Sequence, residues 1–465
     1  PDTMPVPQVA IVGRPNVGKS SLLNWLAGNR ISVVDETSGV TRDRVTAIVQ
    51  RRDRFFEMVD TAGMGIEDVD HLDEHIEQQI EEAVTQATLI LFVVDVQQGM
   101  TPLDQAVAQR LRYVSKPVIC VANKCDHKEL ESEAADFYRL GRGKLICTST
   151  AQNRNRDALM EMIVERLPID LEDLPGSEPV MRVAIVGRRN VGKSTFVNTL
   201  AQAERMIVSE VPGTTRDSVD VTYELDGQSF IAIDTPGVRR KKSLGSSIDF
   251  YGFVRAQRSV RRADLVLMFF DPTQRIGKPD KQLVDYINAQ HKPCIFVVNK
   301  WDLMRPMPTE KWSSYVKDTF RTSRYSPIVF ITGKTGKNVK ALLNLGQHLF
   351  KQASSRISTG HLNRIVQSAM KRNPPPIRRN QKPRLFYATQ VGAQPPTIVM
   401  FVNRPVLFDA TYCRYLIGAI REESPFLEVP IKLYLRRREQ SESGLGPEGN
   451  PLGIPETDNP SLGRS

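Results

Sequence analysis

Two doubly wound α/β domains in tandem, followed by a small α+β domain, are what this 465-residue sequence predicts. Three observations carry that expectation. Four short motifs recur in the same order at an almost constant offset. Near-continuous apolar runs alternate with helix-like segments in both copies. After about Gln352 the alternation stops, and short helical and strand-like stretches follow one another.

The repeat comes first. GRPNVGKS at 13–20 returns as GRRNVGKS at 187–194, an offset of 187 − 13 = 174. SGVTRD at 38–43 returns as PGTTRD at 212–217, and DTAG at 60–63 as DTPG at 234–237, both again at 174. NKCD at 123–126 returns as NKWD at 299–302, at 176. Fixed order and spacing mark a duplicated domain rather than scattered matches. VAIVG precedes each loop, at 9–13 and 183–187; LILFVVD at 89–95, VICVANK at 118–124, LVLMFFD at 265–271 and CIFVVNK at 294–300 follow. Such runs suit parallel strands covered by helices on both faces. The first copy is placed at 8–167, a short Pro- and acid-rich linker at 168–179, and the second copy at 180–352. Residues 355–438 read α-β-β-α-β. The tail at 439–465 has almost no apolar anchors and is expected to be disordered.

Composition bounds the class. The chain is 40% hydrophobic and 25% charged, ordinary for a soluble protein. No apolar run approaches the ~18 residues a membrane span needs, and PDTMPVPQ at the start lacks the basic and apolar regions of a secretion signal. Cys120, Cys125, Cys147, Cys294 and Cys413 form no CxxC, so a reduced, cytoplasmic setting without disulfides is expected. The net charge is +10. From Ser355 to Gln440 there are 15 Lys and Arg against 5 Asp and Glu, a surplus of 15 − 5 = 10. That placement favours an anionic partner for the third domain.

The loops carry the chemistry. G-x-x-x-x-G-K-S after an apolar strand is a phosphate-binding loop. Gly13 and Gly18 let successive backbone N–H groups turn inward around phosphate oxygens, Lys19 reaches the β- and γ-phosphates, and the Ser20 hydroxyl is placed to ligate Mg²⁺. Gly187, Gly192, Lys193 and Ser194 offer the same set, with Arg14, Pro15, Asn16, Val17 and Arg188, Arg189, Asn190, Val191 completing the two loops. Asp60 and Asp234 are placed to hold Mg²⁺ through water, and Gly63 and Gly237 to present N–H to the γ-phosphate. Thr61, Ala62, Met64 and Thr235, Pro236, Val238 flank them. Asn123, Lys124, Cys125, Asp126 and Asn299, Lys300, Trp301, Asp302 form N-K-x-D, whose Asp accepts from guanine N1–H and the 2-amino group. Adenine lacks that donor pair, so GTP and GDP are the expected ligands. TST at 148–150 and TGK at 332–334 resemble the loop that closes over the base.

One expected part is missing. Ras-like GTPases carry Gln after D-x-x-G to position water; here Met64 and Val238 stand there. Asn16 and Asn190, with a T-x-R-D segment containing Thr41 and Thr215, resemble the potassium-activated GTPases. That resemblance implies K⁺ beside the phosphates, ligated by Asn16 and Asn190, and slow hydrolysis stimulated by it. It leaves Lys19, Thr41, Asp60, Gly63 and their partners Lys193, Thr215, Asp234, Gly237 as the catalytic candidates, with Thr41 and Thr215 joining Ser20 and Ser194 on Mg²⁺.

Over residues 8–438 the whole pattern resembles the bacterial double-GTPase family known as Der or EngA: two tandem P-loop G domains of the Era type, then a KH-like domain. NPPPIRRNQKPRLFYATQVGAQPPTIVMFVN and YCRYLIGAIRE are the residues of the third domain that carry the likeness. The resemblance implies a role in assembling the large (50S) ribosomal subunit, with rRNA as the surface bound, by a cytoplasmic monomer with no DNA specificity. No G-x-x-G occurs between residues 355 and 440, so the likeness implies the fold more than the usual KH grip on RNA. RRNQKPR at 378–384 and RRR at 436–438 favour phosphate contact instead. After DTAG the first copy is acid-rich, and after DTPG the second is base-rich, from Arg239, Arg240, Lys241 and Lys242 onward. Two other readings stay open: a non-hydrolysing RNA-binding adaptor and a tRNA-modification GTPase.

Overall fold

The structure is a computed structural model of the chain. It describes residues 5–28, 31–34, 45–52, 54–60, 87–140, 144–167, 181–201, 207–211, 219–225, 228–235, 248–304, 306–377 and 380–438. The expected linker at 168–179 and tail at 439–465 lie outside these residues.

The first sheet has the order β3-β4-β1-β5-β6-β7. Its strands are β1 (Gln8–Val12), β3 (Val45–Arg51), β4 (Arg54–Asp60), β5 (Leu89–Asp95), β6 (Val118–Asn123) and β7 (Leu145–Cys147). All neighbours are parallel except the β3–β4 hairpin. Every residue of β5 and β6 is buried, which is what a parallel strand with helices on both sides requires. Alternate residues of β1 enter different cores. Val9 and Ile11 pack with Leu22 and Leu26 of the helix Lys19–Ala27. Ala10 and Val12 pack with Val107 and Leu111 of the helix Pro102–Leu111.

The second sheet repeats the plan in the order β14-β13-β12-β8-β11-β10-β9. Here β8 is Met181–Val186, β9 Ile207–Val211, β10 Val219–Leu225, β11 Gln228–Thr235, β12 Leu265–Phe270, β13 Cys294–Val298 and β14 Ile328–Phe330. Within each copy the motif-bearing ends therefore point the same way: β1, β5 and β6 in the first, and β8, β12 and β13 in the second. Loops at the carboxyl ends of such strands are where doubly wound sheets bind ligands.

The third domain follows the expected α-β-β-α-β order. A helix at Thr359–Arg372 precedes β15 (Leu385–Gly392) and β16 (Thr397–Val402); a helix at Ala410–Glu422 precedes β17 (Lys432–Arg437). Leu362, Ile365, Leu416 and Ile420 of the helices pack on Ile398, Met400, Leu433 and Leu435. This core is continuous with that of the second copy through Leu349 and Ala353 of the helix Val339–Ser354.

One strand departs from the repeat. After its first helix, the second copy places β9 on its own β10. The corresponding segment of the first copy, β2 (Ile31–Val34), pairs antiparallel with β17 instead, with Val34 opposite Leu433 and Ile31 opposite Arg436. The first copy thus completes the third sheet, in the order β15-β16-β17-β2. Val6 and Ile48 also pack on Val399, Phe401 and Tyr434 from the face opposite the helices. The buried Glu57 carboxylate accepts from Lys432 Nζ at 2.5 Å and Tyr434 Oη at 2.7 Å.

Candidate nucleotide-binding sites

Each phosphate loop bridges a buried strand and a helix, β1 to Lys19–Ala27 and β8 to Lys193–Ala201. Four glycines are fixed by sterics. Gly18 and Gly192 have φ of 92° and 94°, and a Cβ there would lie 2.5 and 2.2 Å from the Nδ2 of Asn123 and Asn299. A Cβ on Gly13 or Gly187 would sit 2.4 or 2.5 Å from the carbonyl oxygen of Val93 or Phe269. Asn16 and Asn190 also take positive φ, 65° and 63°, a conformation Asn tolerates better than most residues. Both are exposed, as is Arg189, while Val17 and Val191 are buried in the cores beneath.

Lys19 Nζ donates to the carbonyl oxygens of Gly13 at 2.6 Å and Arg14 at 2.8 Å. Lys193 Nζ donates to those of Gly187 and Arg188 at 2.7 and 2.6 Å. Burial lowers both lysines from the usual range to about 8. At Lys19 the Asp60 carboxylate opposes that shift and Arg14 adds to it. Each ammonium is thus held among neutral carbonyls, where an arriving phosphate is a far better partner.

Ser20 Oγ donates to Asp60 Oδ2 at 2.5 Å, and Asp60 is fully buried at the end of β4. A hydroxyl and a carboxylate meeting beside the loop lysine are the hard oxygen donors Mg²⁺ takes, so the residues present fit that ion. In the second copy Asp234 and Thr235 close β11. Thr41, Thr61, Ala62, Gly63, Met64, Thr215, Pro236, Gly237 and Val238 lie outside the described residues, as do Arg239–Lys242, Arg378 and Arg379.

The N-K-x-D motifs are tied to the G-x-x-x-x-G-K-S loops. Asn123 Nδ2 donates to Val17 O at 2.9 Å, and Asn299 Nδ2 to Val191 O at 2.8 Å. Lys124 bridges Asn16 O at 2.9 Å and Asp95 Oδ2 at 2.6 Å. Lys300 pairs with Asp271 Oδ2 at 2.7 Å. Burial pushes the Asp271 carboxyl up, but Lys300 and the hydroxyl and N–H of Thr273 outweigh it and hold it low. Asp126 accepts from Ser149 Oγ at 2.5 Å and Gln97 Nε2 at 2.9 Å. The TST segment therefore reaches the Asp126 carboxylate although it lacks glycine. In the second copy Gly333 N–H donates to Asn299 Oδ1 at 2.8 Å. Beside the motif, Cys125 is buried, whereas Trp301 packs on Phe330 with ring centroids 4.5 Å apart.

Sequence reasoning missed Asp95 and Asp271. A signal existed: both end apolar runs and are separated by 271 − 95 = 176, the offset of N-K-x-D. Among the basic clusters, Lys382, Arg437 and Arg438 are exposed. Arg436 is half-buried and donates to Gln50 Oε1 at 3.1 Å, because strand alternation turns it toward the first copy.

A G-x-x-x-x-G-K-S loop with N-K-x-D stitched to it, twice over, and in the first copy a buried acid beside the loop serine, define a P-loop GTPase. The model for "50S ribosome-binding GTPase" matches residues 8–124 and again 182–300. The model for the "KH-domain-like of EngA bacterial GTPase enzymes, C-terminal" matches 356–436. The chain is 58% identical over 441 residues to GTPase Der of Rhodopirellula baltica, covering 95% of this chain and 97% of that one. It is 40% identical over 438 residues to GTPase Der of Desulforamulus reducens, covering 94% and 99%. Among solved structures it is similar to Aquifex aeolicus Era bound to GDP and aluminium fluoride, at 24% identity and a TM-score of 0.31, covering 55% of this chain and 89% of that one. The chain belongs to the Der family of GTPases, and it binds GTP and converts it to GDP and phosphate.

Proposed function

We propose that this GTPase acts in assembly of the large ribosomal subunit, docking on rRNA through the basic faces of its second and third domains while GTP is bound. The carrying observation is charge placement: Lys382, Arg437 and Arg438 are exposed, in a stretch from 355 to 440 whose Lys and Arg exceed its Asp and Glu by 10. A description of the matching family model, a 50S ribosome-binding GTPase, supports the same partner. No helix among the described residues is long and apolar enough to cross a membrane.

In this reading residues 13–20 and 187–194 cradle the phosphates, and Asp126 and Asp302 read guanine. Ser20 with Asp60, and Ser194 with Asp234, would hold Mg²⁺, with Thr41 and Thr215 joining in the GTP state. Bound Mg²⁺ supplies neutralisation of charge between the β- and γ-phosphates. Lys19 and Lys193 carry their ammonium groups to the same oxygens, and Gly63 and Gly237 present N–H to the γ-phosphate. Asn16 and Asn190 would hold K⁺, whose charge would do at the phosphates the work of an arginine finger. Equal turnover in KCl and NaCl would remove the potassium part of this reading.

Sedimentation with purified large subunits across a salt series tests the partner. Affinity should fall with salt by a slope near ~0.7–0.9 per phosphate neutralised, and GTP analogue should support binding better than GDP. Replacing Arg239–Lys242 should weaken the GTP-state complex selectively, and replacing Arg437 and Arg438 should weaken both states. A protein that stays in the supernatant in every nucleotide state would contradict the proposal.

A further inference from the structure

The second residue of each phosphate loop is an arginine whose side chain turns away from the phosphates. Arg14 is 7% exposed; its Nε donates to Asp104 Oδ2 at 3.2 Å and its Nη1 to Gln98 Oε1 at 2.7 Å. Asp104 is fully buried in the first turn of the helix Pro102–Leu111, where its Oδ2 also accepts from the N–H and hydroxyl of Thr101. Arg188 repeats the arrangement. Its Nε donates to Asp280 Oδ1 at 2.9 Å and its Nη2 to Arg275 O at 3.0 Å. Asp280 lies in the first turn of the helix Lys278–Ala289, accepting from Gly277 N–H at 2.9 Å. The loop arginines differ by 188 − 14 = 174 and the acids by 280 − 104 = 176, the offsets of the phosphate and base motifs themselves.

A buried ion pair is a poor way to gain stability, because desolvation of both charges offsets their attraction. The first pair is not even fully satisfied: Arg14 Nη2 and Asp104 Oδ1 are buried with no hydrogen-bond partner. An apolar pair of similar size would serve the core as well. What the pair fixes is the peptide of Arg14, whose carbonyl oxygen holds Lys19 Nζ, as that of Arg188 holds Lys193 Nζ. The chain of contact runs from a helix start, through a carboxylate and a guanidinium, to the carbonyl that aims the loop lysine. The two copies brace the guanidinium differently, with a Gln98 side chain in one and the Arg275 backbone in the other, yet keep the Arg–Asp contact.

We propose that Arg14 with Asp104, and Arg188 with Asp280, are positioning pairs that hold each phosphate loop in register with the β-phosphate of the bound nucleotide. This rests on the assignment of residues 13–20 and 187–194 to the phosphates. Neither aspartate touches nucleotide; each acts through its arginine. The pairs therefore govern how strongly phosphates contribute to binding and leave guanine reading at Asn123 and Asp126 alone.

The test uses the full chain with Lys193→Ala to silence the second site, and compares GDP with GMP by fluorescence competition. The variant Arg14→Met with Asp104→Asn removes both charges together and keeps an acceptor at the helix start. It should keep the melting temperature and GMP affinity of its parent while losing about tenfold of the preference for GDP over GMP, the scale of one charge-assisted hydrogen bond. Arg14→Lys, which keeps one contact to Asp104, should recover part of that preference. A double variant with the parent's GDP-to-GMP ratio, or with GDP and GMP weakened equally, would overturn the proposal and leave the phosphate-loop assignment standing. A parent chain that bound GMP as tightly as GDP would overturn both.

Discussion

The two nucleotide domains share a plan and differ in what is attached to it. In the second copy the strand after the first helix stays at the edge of its own sheet, β9 on β10. In the first copy β2 leaves to complete the third sheet, and Glu57 of β4 is buried against Lys432 and Tyr434. The residue in the place of Glu57 in the second copy is Ile231, by 57 + 174 = 231. The nucleotide machinery is duplicated, but the segment leading into the T-x-R-D region is wired to another domain in one copy only.

The sharpest way to break this comparison is at Glu57. Glu57→Ala leaves the Lys432 ammonium buried without its carboxylate, and should destabilise the fold by about 3–5 kcal/mol in urea unfolding. The mirror change Ile231→Val should cost only about 1 kcal/mol. A double-mutant cycle of Glu57→Ala with Lys432→Met should show strong coupling. A cost at Glu57 no larger than that at Ile231 would mean that the contact to the third domain is not a distinguishing feature of the first copy.

The base-reading loops provide a second contrast. Trp301 packs on Phe330, whereas the same place in the first copy holds Cys125. Trp301→Ala should destabilise the second domain by about 2 kcal/mol and loosen guanine nucleotide there, while Cys125→Ala should cost about 1 kcal/mol or less. Nucleotide dissociation rates from each site measure the difference.

At the phosphates the copies should behave alike. Lys19 and Lys193 both fall to about 8, chiefly through burial. Bound phosphate favours the ammonium and raises that value, so above pH 8 binding takes up a proton. GDP affinity should then fall with rising pH, approaching tenfold per unit at each site, and be flat in this respect below pH 8. Folding stability moves the other way: between about 8 and the free-lysine range the unfolded chain binds more protons, so stability rises with pH over that window. Titration calorimetry in buffers of different ionisation heat reads the proton uptake. Affinity that fell at one site and not the other would show that the lysines are not equivalent.

Much of this was legible in the sequence because sterics and spacing are local. Only glycine fits where Gly18 approaches Asn123, and the fully apolar β5 and β6 announce a sheet covered on both sides. The braces were harder to see. Asp95 and Asp104 are marked in the sequence only by recurring at the offset of 176, which does not say that Lys124 and Arg14 will reach them. The destination of β2 was not legible at all. Sheet-edge pairing uses backbone groups common to every residue, so four residues reading Ile-Ser-Val-Val fit their own sheet or another equally well.

The central claim is that both copies are complete guanine-nucleotide sites. Equilibrium dialysis of the nucleotide-free chain against GDP with Mg²⁺ tests it most directly. The account predicts two GDP per chain at saturation, falling to one when either Asp126→Asn or Asp302→Asn is introduced, with xanthosine diphosphate restoring the second. One GDP per wild-type chain at saturation would contradict it.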